Sequence, residues 1–95
     1  MVIWTERALE NLRAIFEYIA LESKLYAKRV SLDVHKQAKI IDRYPFQGRK
    51  IPELDREDIR EVFVYSYRVI YKIRSDKKIL IMRILHMSRT EKHLL

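Results

Sequence analysis

Four side chains near the end of this 95-residue chain have the types and spacing to do chemistry: Arg68, Arg83, His86 and Arg89. Guanidinium groups hold phosphate or carboxylate, and histidine, the side-chain type that ordinarily ionises near neutrality, occurs among these neighbours only as His86. Such a set can grip an anion and move a single proton. The plainer role for His86 is that of a strand-end histidine hydrogen-bonded to backbone. His35 and His93 have no ligand partners at metal spacing and there is no cysteine, so no metal and no cofactor is expected. The acidic run Glu53-Leu54-Asp55-Arg56-Glu57-Asp58 has oxygens enough for Mg²⁺, but Arg56 and Arg60 are interleaved with it, and a solvated loop is the expected state. Serines 23, 31, 66, 75 and 88 lie in no nucleophile-elbow sequence, and no Gly-rich phosphate loop is present.

The elements that position these groups are strands. Arg60 to Tyr71 and Ile79 to His86 are rich in β-branched and aromatic residues with alternating polarity. Two-residue hairpins at Tyr65-Ser66 and Ser75-Asp76 would sort the side chains onto two faces. Val62, Val64, Tyr67, Val69, Tyr71, Ile73, Leu80, Met82 and Ile84 would share one face, and Glu61, Phe63, Arg68, Ile70, Lys72, Ile81 and Arg83 the other. In that register Arg68 stands directly across from Arg83. Like charges paired across strands repel, so the second face is expected to be the working surface, with Phe63, Ile70 and Ile81 partly exposed among cations. Tyr71→Ala is then expected to cost about 3–5 kcal/mol as a buried aromatic truncation, and Arg68→Ala little.

The first half is architectural. Val2 to Thr5 suits a short edge strand, and Thr5 offers an N-cap oxygen to a helix that ends near Leu21 to Ser23. Ala8, Leu12, Ile15 and Ile19 recur at helical spacing along it. Ser23 can cap a second helix carrying Ala27, Val30, Val34, Ala38 and Ile41, which stops before Pro45. So short a turn makes an antiparallel hairpin, with Gly48 as a later turn residue. The expected fold is α+β: an N-terminal edge strand, then the helical hairpin packed on one face of a small twisted antiparallel sheet, in the order β-α-α-β-β-β.

With one glycine, two prolines and 48% hydrophobic residues, residues 1–95 form one domain without a linker. The net charge of +7 is uneven: residues 1–65 carry 12 basic against 11 acidic groups (12 − 11 = +1), and residues 66–95 carry 8 against 2 (8 − 2 = +6). That favours an acidic partner for the second part, either nucleic acid or an acidic protein segment. The N-terminus lacks the pattern of a signal peptide, and the run Ile79 to Met82 is far too short to span a bilayer. A soluble cytoplasmic protein with no membrane partner is expected.

Trp4-Thr5-Glu6-Arg7-Ala8 with Leu12 and Ile15, Tyr44-Pro45-Phe46-Gln47-Gly48-Arg49, Arg60-Glu61, Tyr67-Arg68-Val69-Ile70-Tyr71, and Ile84-Leu85-His86 with Arg89 occur in that order along nearly the whole chain. In this set the chain resembles the RelE/ParE superfamily of bacterial type II toxins. The resemblance implies a small toxin neutralised by a cognate antitoxin, here one with an acidic, amphipathic C-terminal segment. It implies one of two activities: poisoning of DNA gyrase, as in ParE-type members, or cleavage of mRNA on the ribosome, as in RelE-type members. RNA cleavage needs a base for the 2′-hydroxyl, an acid for the leaving oxygen and cations on the phosphate. Arg68, Arg83, His86 and Arg89, with Glu53 as a further acidic group, are the candidates for it. Ribosome-dependent relatives commonly add a tyrosine in or after the last strand, and no tyrosine follows Tyr71 here. The gyrase reading is therefore preferred. Arg60, Phe63, Arg68, Ile70, Lys72, Ile81, Arg83 and Arg89 are the expected contacts to antitoxin or target. A non-catalytic basic module that binds nucleic acid is the remaining alternative.

Overall fold

The structure, a computed structural model, describes residues 1–89. Strand β1 (Val2–Trp4) leads into helices α1 (Glu6–Ala20) and α2 (Lys24–Arg43), followed by β2 (Arg49–Lys50), β3 (Ile59–Val64), β4 (Tyr67–Ile73) and β5 (Ile79–His86). The strands form one sheet in the order β1-β5-β4-β3-β2. It is antiparallel except that β1 runs parallel to β5, so the sheet is mixed. The order of elements and the helical hairpin agree with expectation. His93 and the rest of residues 90–95 lie outside the described residues.

Both helices start at side-chain caps. Thr5 Oγ1 accepts from Ala8 N at 3.0 Å, and Ser23 Oγ accepts from Tyr26 N at 3.0 Å. Thr5 also anchors α1 to the sheet, because its N–H donates to Ile81 O at 3.1 Å and its hydroxyl donates to Met82 O at 3.1 Å. Strand β1 pairs with β5 only from Ile79 to Ile81, which leaves the rest of that edge without a strand partner among the described residues. Asn11 of α1 covers part of the gap: its Oδ1 accepts from Ile84 N at 3.0 Å.

The main core lies between the hairpin and the sheet. Ala8 and Leu12 of α1 and Val30, Val34, Ala38 and Ile41 of α2 pack on Val62, Val64, Val69, Tyr71, Ile79, Ile81 and Ile84. Tyr71 is fully buried and uses its hydroxyl to hold the segment after α2, donating to Pro45 O at 2.6 Å and accepting from Gly48 N at 3.0 Å. A Cβ on Gly48 would sit 2.5 Å from that hydroxyl and 2.7 Å from Glu61 O. Only glycine permits this approach.

The hairpin at Tyr65-Ser66 forms as expected, with Val64 opposite Tyr67 and Tyr65 in the left-handed region at φ 54°. The second connection differs. Arg74 N donates to Lys78 O at 2.9 Å, so the loop is the three residues 75–77, with Lys77 at φ 67°, and not a two-residue turn at Ser75-Asp76. That single extra residue moves Ile79 and Ile81 into the main core and turns Leu80 outward. A bulge follows: Tyr71 pairs with Ile81 but Ile70 pairs with Arg83, leaving Met82 as the extra residue. The bulge restores the expected parity, so Ile84 returns to the core and Arg83 to the outer face.

Candidate functional site

Arg68 and Arg83 do share the face away from the helices, but they are not cross-strand neighbours. Arg68 stands across from Phe63 on one side and Leu85 on the other, and Arg83 across from Ile70. The expected opposition fails because loop and bulge together slide β5 by two residues. Nor is this face broadly exposed. Ile51, Ile59, Ile70 and Leu85 form a second, smaller apolar cluster, with Leu54 packed on it from the segment between β2 and β3. Ile70 is fully buried here and Ile81 in the main core, so neither offers the exposed apolar contact expected of it. Phe63 remains open, with the Arg49 guanidinium 5.1 Å from its ring centre.

The charges on this face are organised around one carboxylate. Glu61 is buried, accepts from Arg68 Nε at 2.6 Å and from Arg49 Nε at 2.7 Å. Arg68 also reaches Glu53 Oε2 at 3.3 Å. Burial alone would lower the guanidinium pKa, but the hydrogen bonds and charges of Glu61 and Glu53 outweigh it and hold Arg68 raised. Arg68 is only 6% exposed and Arg83 8%. The low cost expected for Arg68→Ala therefore gives way to a substantial one, since the substitution strips a buried carboxylate of its shorter ion pair.

Glu53 to Asp58 is a loop of internal ion pairs. Lys50 Nζ lies 3.3 Å from Asp55 and 3.4 Å from Glu57, and Arg56 holds Asp58 at 2.9 Å. Hydrogen bonds to Asp55 and Glu57 push the Lys50 pKa up, and that from Arg56 pulls Asp58 down. No group of three His, Asp or Glu side chains is placed to hold a metal among the described residues. Arg60 has structural partners: it donates to Gly48 O at 2.8 Å and to Glu57 Oε2 at 2.7 Å, with its guanidinium 4.9 Å from the Phe46 ring centre. Lys72 lies half-buried on the outer face, between Ile59 and Leu80.

His86 stands apart from these cations. It has the parity of Ile84, so it emerges on the helix side of the sheet, where its ring meets Tyr67 edge-on at 5.5 Å. Its Nδ1 accepts from Ser88 N at 3.1 Å and lies 2.8 Å from Ser88 Oγ, so the neutral ring carries its proton on Nε2. Burial raises the Tyr67 phenol above its ordinary pKa. A groove of about 610 Å³ runs alongside, lined by Asn11, Ile15, Tyr18, Tyr67, His86 and Arg89 among others. Sequence reasoning grouped Arg68, Arg83, His86 and Arg89 into one surface; the sheet separates Arg68 and Arg83 from His86 and Arg89. It missed Tyr67 as a neighbour of His86, and it missed Glu61 as the organiser of Arg49 and Arg68. The Glu61 signal was available, since a carboxylate two positions before Phe63 must share a face with Arg68 once the tight hairpin is accepted.

No helix among the described residues is long and apolar enough to cross a membrane. The fold is shared with solved structures, among them the following two. The chromosomal ParDE toxin–antitoxin system of P. aeruginosa has a chain that superposes with a TM-score of 0.71 at 22% identity, covering 92% of this chain and 95% of that one. The toxin–antitoxin complex RelBE2 of Mycobacterium tuberculosis has one that superposes with a TM-score of 0.67 at 21% identity, covering 90% and 95%. In sequence, the chain is 38% identical over 88 residues to Toxin RelE2 of Caulobacter vibrioides, which spans 93% of this chain and 96% of that protein. The family model described as the ParE toxin of the type II toxin–antitoxin system parDE matches residues 2–91. The chain thus belongs to the ParE family of type II toxins, within the wider RelE/ParE superfamily.

Proposed function

We propose that this toxin acts by binding DNA gyrase, without a catalytic step of its own, and that a cognate antitoxin neutralises it. The observation that carries this reading is the separation of the chemical groups. Cleavage of RNA by its 2′-hydroxyl requires phosphate-binding cations and two proton-transfer groups converging on one bond. Here Arg68 is committed to Glu61 and Glu53 on the outer face, whereas His86 emerges on the helix side. A protein target makes no such demand and can be recognised by either face. Membership of a toxin family, together with similarity to chains of ParDE and RelBE2 systems, supports an antitoxin partner for this chain.

A second reading has one observation in its favour. Tyr67 and His86 stand ring to ring beside the groove that Arg89 also lines, so a proton-transfer pair with a cation exists on the helix side even though no tyrosine follows Tyr71. That reading is mRNA cleavage on the ribosome, and the name of the Caulobacter relative agrees with it. Purified toxin in two assays separates them: supercoiling by gyrase, and cleavage of mRNA on programmed ribosomes. The gyrase reading expects supercoiling to stop, messages to stay intact and His86→Gln to remain inhibitory. Message cut in the ribosomal A site, abolished by His86→Gln, with supercoiling untouched, establishes the second reading instead.

A further inference from the structure

Helix α2 has a second organised face that the fold does not use. Its core residues Ala27, Val30, Val34, Ala38 and Ile41 occupy one side. At 3.6 residues per turn, Leu25, Arg29, Leu32, Lys36, Lys39 and Arg43 all fall within about 40° of a single line on the opposite side. All six are exposed, Leu25 by 79% and Leu32 by 66%. The helix has two carboxylates and both lie off that line with partners of their own: Asp33 accepts from the Tyr65 hydroxyl, and Asp42 binds the N-terminal amine. The result is a stripe about 27 Å long, with Leu25 and Leu32 flanking Arg29 towards the hairpin turn and Lys36, Lys39 and Arg43 towards the C-terminal end. Tyr18 and Leu21, 74% and 83% exposed, extend the apolar part around the turn.

We infer that this stripe docks an acidic amphipathic helix, and, resting on the toxin reading above, that the antitoxin supplies it. Two exposed leucines seven residues apart present one apolar knob every two turns, the spacing that a facing helix fills. The cations beyond them require carboxylates on the partner's flank. A phosphate backbone would satisfy the cations but leave Leu25 and Leu32 against a charged surface. A second copy of the chain would set these cations against their own kind. The docking surface also differs from the one the sequence suggested, because Ile70 and Ile81 are buried and cannot serve.

The test measures affinity for the protein encoded by the adjacent reading frame, using the full-length toxin and three forms: wild type, Leu25→Ser/Leu32→Ser, and Lys36→Gln/Lys39→Gln/Arg43→Gln. Melting temperatures near that of wild type confirm that these surface changes leave the fold intact. We expect each variant to bind at least about tenfold more weakly, the leucine variant at every salt concentration and the charge variant mainly at low salt. Equal affinity for all three forms overturns the stripe as the docking site and leaves the toxin reading standing. No binding by wild type overturns the antitoxin reading and this inference with it. Duplex DNA bound by wild type and lost in the charge variant, with affinity for the adjacent-frame protein unchanged, assigns the stripe to nucleic acid.

Discussion

Glu61→Ala tests whether the outer face is organised by a buried carboxylate. Glu61 is 1% exposed and bonds the Arg68 guanidinium at 2.6 Å and that of Arg49 at 2.7 Å. Its removal leaves Arg68, itself 6% exposed, with only Glu53 at 3.3 Å. Breaking a buried pair from one side costs about 3–5 kcal/mol, because the remaining charge keeps its desolvation penalty and loses its compensation. Arg49 is open to solvent and regains water, so its share is at most about 1 kcal/mol. A domain of this size is stable by about 5–14 kcal/mol in total. At about 4–8 °C per kcal/mol, the melting temperature should fall by at least about 12 °C, whereas Arg49→Ala should shift it by only a few degrees. Circular dichroism melts of the two variants read this directly. The double variant Glu61→Leu/Arg68→Met should recover most of the loss, because Ile70 and Leu85 flank Arg68 and Arg83 on the same face and apolar side chains can pack there. Equal melting temperatures for Glu61→Ala and Arg49→Ala would refute the reasoning.

Gly48→Ala should destabilise by about 2 kcal/mol or more, since its methyl group collides with the Tyr71 hydroxyl and the Glu61 carbonyl; urea unfolding at constant m-value measures it. Tyr71→Phe removes the bonds to Pro45 and Gly48 and should cost about 1–3 kcal/mol at neutral pH. Burial raises the Tyr71 phenol above its ordinary value of 10, so its stabilising contribution is complete below that value and is lost as pH rises through the folded-state pKa; melting temperatures above pH 10 should fall more steeply for wild type than for Tyr71→Phe. Thr5→Ala removes both the α1 cap and the bond to Met82 and should cost about 1–3 kcal/mol in thermal melts, with Thr5→Ser restoring most of it.

Local rules settled much of this protein from sequence alone. Thr5 and Ser23 marked both helix starts because a cap is a contact between residues three apart, and Pro45 marked the end of α2 because its ring restricts its predecessor. The 3.6-residue spacing gave the core faces of both helices, and Tyr65-Ser66 gave the first hairpin and the placement of Arg68 across from Phe63. Strand β5 is where local reasoning ended. Apolar residues from Ile79 to Met82 fit either face, so periodicity did not choose between a two- and a three-residue loop, and nothing within the strand announced the bulge at Met82. Those two single-residue shifts decided that Ile81 enters the core and Leu80 does not, and cancelled by Arg83 and Ile84, whose faces were right although Arg83's partner was not. Tertiary packing supplied the reason: Thr5, the cap of α1, and Asn11 within that helix bond the β5 backbone at Met82 and Ile84 and so stabilise the bulged edge from outside the strand. The candidate site followed the same division. The sequence determined which cations exist. Only the fold buried the Glu61–Arg68 pair and slid β5 so that His86, and not Ile84, stands across from Tyr67, because burial and register depend on packing against elements distant in the chain.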